Sequence, residues 1–423
     1  MLIYFKVGNF RSIKEPVTLQ FSAAPVSEHP DSNVVNNGGM SLLKSVLLYG
    51  HNASGKSNVL SAIVFFKWLI TNSATEKQGN EPIAVEPFEL SKVTEHAPSF
   101  FEASFQLDAI RYRYGFELDK EKIQKEWLLE STATKEYPVF LRIGDEFQLT
   151  EKRFKNAKGL DKRTRKNALF LSVASQWNVA KAEQINNWFD SIYAVHGLMD
   201  NNYKWLTINL LENKRYTQLI NAFIQKADLG INTLGVTDIP VTVDKMVKNM
   251  PDEMRNYFKD RLKDSEEKAV FAYHNKYDEN DNIVESVPFL MDEKESEGTM
   301  RFFNLIGVFI TAIQQNRLVI IDEFDARFHT LLSKSILKLF NSAVIKSKAQ
   351  LLIASHDTAL LDRNILRRDQ VYFVEKSIYG ATQITSLAEY KPRKETPYDK
   401  TYLEGKYGAI PLIDDLESLI ANG

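Results

Sequence analysis

The run Gly50-His51-Asn52-Ala53-Ser54-Gly55-Lys56-Ser57 fits the spacing G-x-x-x-x-G-K-[ST] of a phosphate-cradling loop. The chemistry explains the residue types. Glycines let backbone N–H groups wrap phosphate oxygens, the lysine at 56 reaches β- and γ-phosphates, and the hydroxyl at 57 ligates Mg²⁺. Outside a strand-to-helix junction the same letters describe only a glycine-rich turn. Far downstream, Asp322 and Glu323 follow the apolar run Leu318–Ile321. In such a site Asp322 would hold the Mg²⁺ and Glu323 would polarise a water for attack on the γ-phosphate. By itself this acidic pair also fits a solvated strand end. Ser296-Glu297-Gly298-Thr299 precedes a long apolar helical pattern. The Ser296 hydroxyl and Gly298 backbone there either meet a phosphate at the helix N-terminus or cap the helix. His356, in Ser355-His356-Asp357, follows the apolar run 350–354 and offers an imidazole at another strand end.

Bringing these groups to one edge requires strands alternating with helices, an α/β core. Ser45–Tyr49 reads as a strand ending at Gly50, and Leu60, Ile63, Val64 and Trp68 recur at helical spacing after Ser57. Downstream the pattern gives a helix over 301–315, a strand over Leu318–Ile321, a helix over 331–341 and a strand over 350–354. The opening residues alternate, with Leu2, Tyr4 and Lys6 against Ile3, Phe5 and Val7, and Val17, Leu19 and Phe21 return after a polar turn. Phe101, Ala103, Phe105 and Leu107 are followed by Tyr112, Tyr114, Phe116 and Leu118, with a turn near Asp108. These runs predict an antiparallel β-rich lobe. From about 178 to 264 the pattern is helical, with Trp188, Phe189 and Ile192 on one face and Met254, Tyr257, Phe258 and Leu262 on another. A hairpin is expected around Asp278–Asn282. No heptads run long enough for a coiled coil.

Composition removes several classes of function. The 423 residues contain no cysteine, which excludes disulfides, Cys-ligated metal and thiol nucleophiles. Lys plus Arg number 53 against 55 Asp plus Glu, a net charge of −2, so the whole chain has no attraction to nucleic acid. The apolar stretch 302–313 is shorter than a membrane span, and the start has no signal-peptide layout, so the chain reads as cytoplasmic, with no membrane partner.

The order of Gly50–Ser57, Ser296–Thr299, Asp322-Glu323 and His356 resembles the ABC-type ATPases of the SMC, RecF and OLD group. The resemblance implies a P-loop NTPase of ABC-ATPase head type: an antiparallel β-rich lobe plus a RecA-like core, with a helical insertion. Its cofactors would be ATP and Mg²⁺. It makes Ser296, Gly298 and Thr299 the signature motif, Phe324 to His329 the D-loop and His356 a switch histidine. Lys56, Glu323 and His356 would then act in catalysis. Gly50, Asn52, Ala53, Ser54, Gly55, Ser57 and the following Asn58 would surround the nucleotide, with Asn9, Arg11 and Ser12 of the "NFRS" segment beside it. Gln176, after the apolar run 168–174, occupies the place of the Q-loop glutamine, read as following a strand and contacting nucleotide and metal. Within the group the chain looks closest to bacterial abortive-infection ATPases of the AbiL type, also known from restriction-linked loci. That likeness runs from Asn9 through 167–172 to 402–411. It departs in lacking a coiled coil, which argues against chromosome-scale tethering, and in having Glu297 where glycine is common.

The expected organisation is an N-terminal part of the head (1–177), a helical insertion (178–270), a C-terminal part of the head (271–390) and an extension (391–423). Such ATPases bind nucleotide between two heads, and this chain has one copy of each motif, so a homodimer is expected. The resemblance implies an ATP-dependent dimer that regulates or scaffolds a separate effector, a nuclease or toxin, in antiphage defence. The alternatives are a RecF-like DNA-repair ATPase and a non-hydrolysing scaffold. Residues 151–168 contain eight basic side chains, among them Lys152, Arg153, Lys155, Lys158, Arg163 and Arg165, against two acidic ones. They form either a DNA or RNA backbone contact or a solvated loop face. The stretch 398–411, rich in Tyr, Lys and Gly, either docks a partner or packs on its own lobe.

Overall fold

The structure, a computed structural model, describes residues 1–75, 81–132, 135–240, 266–393 and 395–410. Its first unit holds Met1–Gly197, Ala312–Ala326 and the described residues from Ser333 onward. The second holds the described residues of Leu198–Thr311 together with Arg327–Leu332.

Two sheets dominate the first unit. The alternating runs pair as expected: β1 (Leu2–Gly8) is antiparallel to β2 (Val17–Gln20), and β6 (Ser99–Leu107) to β7 (Ile110–Leu118). With β8 (Ile123–Ser131), β9 (Tyr137–Ile143) and β10 (Glu146–Leu149) they form a seven-stranded antiparallel sheet in the order β10-β9-β8-β7-β6-β1-β2. The register sets Phe101 opposite Phe116 and Phe105 opposite Tyr112, giving one aromatic face. Against it packs α1 (Lys56–Asn72), whose Phe66 ring stacks on Phe116 at 5.0 Å and meets Phe5 edge-on at 5.5 Å. The helix that opens at Lys56 is thereby braced along its length. A small hairpin, β3 (Val34–Asn37) with β4 (Met40–Leu43), leads into β5 (Ser45–Tyr49).

The second sheet has the order β11-β15-β16-β5-β17-β18, built from β11 (Tyr193–Val195), β15 (Leu318–Ile321), β16 (Gln350–Ser355), β5, β17 (Val371–Lys376) and β18 (Thr382–Ser386). Only the edge pair β17–β18 is antiparallel. All five residues of β5 and all six of β16 are buried, which explains their unbroken apolar runs. The carboxyl ends of β5, β15 and β16 therefore open on one edge, the edge where parallel sheets bind ligands.

Two expectations are corrected. The run 168–174 is not a strand but part of α2 (Phe170–Gln176). Five of its seven residues are buried, so no amphipathic period marks it as helical. Its first turn is fixed from outside: the buried Glu126 carboxylate accepts hydrogen bonds from Phe170 N (2.7 Å) and Leu171 N (3.0 Å). Tyr114 Oη also donates to that carboxylate (2.9 Å), and Arg142 lies 3.6 Å away, both side chains being buried. Glu126→Ala would leave Arg142 without its ion pair and α2 without its cap. The expected loss is about 3–5 kcal/mol, read from the urea midpoint, and a loss below about 1 kcal/mol would show the pair and cap to be dispensable.

The segment 178–270 is also not uniformly helical. It contains α3 (Ala180–Asp190), β11, α4 (Lys204–Leu211) and α5 (Lys214–Lys226), but then β12 (Thr233–Pro240). In the second unit β12 pairs with β13 (Glu266–Tyr277), and β13 with β14 (Ile283–Leu290), forming a three-stranded antiparallel sheet. The expected helical face at Met254, Tyr257, Phe258 and Leu262 lies outside the described residues. The Asp278–Asn282 turn does close the β13–β14 hairpin, with Asp278 Oδ1 accepting from Asn280 N and Asn282 N. After the short α6 (Met291–Lys294) comes α7 (Glu297–Gln315), held to α4 by Thr207, whose Oγ1 donates to Phe303 O and accepts from Gly307 N.

Candidate nucleotide-binding site

Beyond Tyr49 the chain leaves β5 at Gly50 and enters α1 at Lys56. Both loop glycines are required by close packing. A Cβ at Gly50 would collide with the Val374 carbonyl, and one at Gly55, whose φ is 109°, would collide with the Thr382 side chain. The α1 N-terminus leaves N–H groups without helical partners, and the helix dipole favours an anion there. Lys56 Nζ donates to Gly50 O (2.6 Å) and His51 O (2.9 Å). An ammonium has three donors, so one remains for a ligand. Burial lowers the Lys56 pKa, and the nearby carboxylates of Asp322, Asp325 and Glu323 oppose that shift.

A cavity of about 490 Å³ opens on residues 52–58 and is closed by Asp322, Glu323, Ser355, His356 and Lys376. It lies wholly in the first unit. Asp322 is buried, and its Oδ1 accepts from Glu323 N (3.0 Å). Glu323 has a φ of 50°, an uncommon conformation for a side-chain-bearing residue and one that concentrates at functional sites. The His356 side chain is 57% exposed, and its Nδ1 sits 3.4 Å from Oδ2 of Asp325, whose side chain is 8% exposed. Tyr49 Oη donates to the His356 carbonyl.

The remaining sequence-predicted residues separate into groups. Ser12 Oγ bonds to Thr382 Oγ1 (2.7 Å) and accepts from Asn58 Nδ2 (2.6 Å), tying the "NFRS" turn to β18 and α1. Asn9 does not line the cavity: its Nδ2 donates to Thr94 O and Ala97 O and its Oδ1 accepts from Phe88 N. Arg11 pairs with Glu86 at 3.0 Å. Gln176 ends α2 on an exposed surface and is also outside the cavity lining. In the second unit Ser296 caps α7, its Oγ accepting from Thr299 N (3.1 Å) and bonding Thr299 Oγ1 (2.9 Å). Gly298 packs so closely on the Arg327 carbonyl that a Cβ would clash, and Arg327 Nε pairs with Glu297 at 3.0 Å. Within 151–168, Arg153 pairs with Glu130, Lys158 pairs with Glu151, Arg163 covers the Trp177 ring and Arg165 donates to Ala74 O. Those four side chains have partners within the chain.

Sequence reasoning missed three contributors. Asp325 was seen only as part of a loop, although it is the carboxylate beside His356. Lys376 and Thr382 sit on β17 and β18, whose signal was the apolar run 371–374.

The donor set fits a nucleotide with Mg²⁺. Ser54 Oγ and Asp325 Oδ1 are buried without a hydrogen-bond partner, Lys56 keeps a free donor, and Ser57 and Asp322 offer the hard oxygens that Mg²⁺ prefers. No cluster of three or more His, Asp or Glu suited to an all-protein metal cage occurs among the described residues. Mg²⁺ held mainly by phosphates and one carboxylate needs none.

A phosphate loop on an interior strand of a largely parallel sheet, acidic residues ending a parallel strand, and an antiparallel lobe bracing the loop's helix define a P-loop nucleotide-binding fold. The chain belongs to the family described as "AAA domain, putative AbiEii toxin, Type IV TA system", whose model matches residues 45–362. It is similar to the SMC head domain from Thermotoga maritima, at 14% identity and a TM-score of 0.41, over 91% of this chain and 98% of that one. It is also similar to an SMC head solved bound to the C-winged helix domain of ScpA, at 12% identity and a TM-score of 0.46, over 92% and 99% of the two chains. No curated protein matches the chain. No helix among the described residues is long and apolar enough to cross a membrane.

Proposed function

We propose that the chain binds ATP with Mg²⁺ and hydrolyses it, and that two copies combine to complete each site. The observation supporting this is the single cavity wall that joins residues 52–58, Asp322, Glu323 and His356. Lys56 binds the β- and γ-phosphates, and Ser57 and Asp322 hold the Mg²⁺. Bound there, Mg²⁺ supplies Lewis-acid stabilisation of the charge that develops on the phosphate oxygens. Glu323 takes the proton of the attacking water as its oxygen bonds to the γ-phosphorus, and the bond to the bridging oxygen breaks to release ADP and phosphate. His356, beside Asp325 at the cavity wall, would sense the γ-phosphate. Ser296, Gly298 and Thr299 serve the site of the second copy. The chain resembles abortive-infection ATPases of the AbiL type, and its ATP-dependent dimer regulates or scaffolds a separate nuclease or toxin in antiphage defence.

The dimer is tested by concentration. Specific ATPase activity is expected to rise with chain concentration, and Ser296→Arg to lower it by roughly tenfold or more while ATP binding stays within about twofold. Activity per chain that is independent of concentration would exclude a composite site.

A further inference from the structure

The described C-terminal residues of the first unit end against the phosphate loop. Downstream of α8 (Thr330–Phe340), α9 (Tyr398–Leu403) places Tyr402 edge-on to Tyr49, with ring centroids 4.9 Å apart, and stacked on Phe373 at 5.5 Å. Tyr407 stacks on the same Phe373 ring at 5.1 Å. Tyr49 is the residue immediately before Gly50. Six residues past α9, Ala409 is held at both backbone polar atoms. Its N–H donates to Glu375 Oε2 (3.0 Å), and its carbonyl accepts from Tyr402 Oη (2.6 Å) and from His51 N (3.3 Å). Its φ of 56° lies in the left-handed region, a conformation an alanine keeps only when its surroundings impose it.

The peptide group joining Gly50 to His51 is planar, with its N–H and C=O directed oppositely. Its N–H goes to Ala409 O, and its C=O accepts Lys56 Nζ. Fixing one end of that plane orients the other. We propose that the segment 398–410 is a positioning element of the nucleotide site: through Tyr402 and Ala409 it sets the Gly50–His51 peptide and, with it, the Lys56 ammonium. This rests on the nucleotide reading of the cavity. Without the segment, the peptide is free to turn, Lys56 loses a fixed acceptor, and ordering the lysine must accompany ligand binding. Ordinary surface packing of a tail would contribute to melting temperature and leave affinity untouched.

The test titrates the fluorescent analogue mant-ATP with Mg²⁺ into the full chain, well below the melting transition of each variant. Tyr402→Phe keeps the ring and removes the hydroxyl, and is expected to weaken binding about fivefold, the value of one hydrogen bond. Tyr402→Ala is expected to weaken it roughly tenfold or more. Val344→Ala, at an 86% exposed residue outside the segment, is expected to change nothing. Tyr402→Phe and Tyr402→Ala chains that remain folded and bind within about twofold of the parent would overturn the proposal. Should Tyr402→Ala fail to fold, Tyr402→Phe decides alone. A parent chain that binds no mant-ATP would instead overturn the nucleotide reading, an outcome visible before any variant is measured.

Discussion

Lys56→Ala is expected to weaken ATP binding by roughly 30- to 5,000-fold, the range for removing one member of a buried, hydrogen-bonded charge pair. The reason lies in how the ammonium is held. Two of its donors are fixed on the carbonyls of residues 50 and 51, so the third meets a phosphate with little freedom left to lose. Burial already disfavours the bare charge, and only nearby carboxylates oppose that effect, so an arriving phosphate gains more than it would from a solvated lysine. Lys56 is not a member of the hydrophobic core, and the melting temperature is expected to stay near that of the parent. Equilibrium titration with labelled ATP gives the result directly. An affinity within about threefold of the parent would remove Lys56 from phosphate binding.

Glu323→Gln is expected to reduce turnover by about 10²- to 10³-fold while ATP affinity stays within about threefold, the signature of a lost general base. The amide preserves size and hydrogen bonding but cannot take the proton of the attacking water. Trapped ATP should then prolong the dimer, visible as a larger mass in ATP than in ADP. Equal turnover in parent and variant would assign the base to another residue. A parent that retains ATP through purification without turning it over would favour the non-hydrolysing scaffold.

How much of this was legible depended on whether the signal was local. The loop 50–57 and α1 could be read because the glycines, the lysine and the helical spacing lie within twenty residues. The β-lobe could be read because its strands bury one face and so alternate, as Phe101 to Leu107 do. Helix α2 could not, because it is buried nearly all round and its cap, Glu126, is more than forty residues away in sequence. Asp325 beside His356, and Ala409 on His51, are likewise products of topology: the first joins two strand ends and the second joins a strand end to the segment after α9, and neither partner's sequence neighbourhood announces the other. The "NFRS" turn shows the converse. Its letters were recognised, but its Asn9 amide is committed to the 88–98 loop, and only Ser12 reaches the phosphate loop's supports.

The placement of β5 between β16 and β17 also sets a timetable for synthesis. Both lateral partners of the phosphate-loop strand come from the last quarter of the chain, about three hundred residues after Tyr49 leaves the ribosome. At roughly 5–20 residues per second, this strand waits on the order of tens of seconds with both edges unpaired. A nascent chain therefore has no finished nucleotide pocket, and ATP cannot engage it before the C-terminal strands have been translated. Throughout that interval, an apolar five-residue segment depends on the early β-lobe or a chaperone for shelter from aggregation.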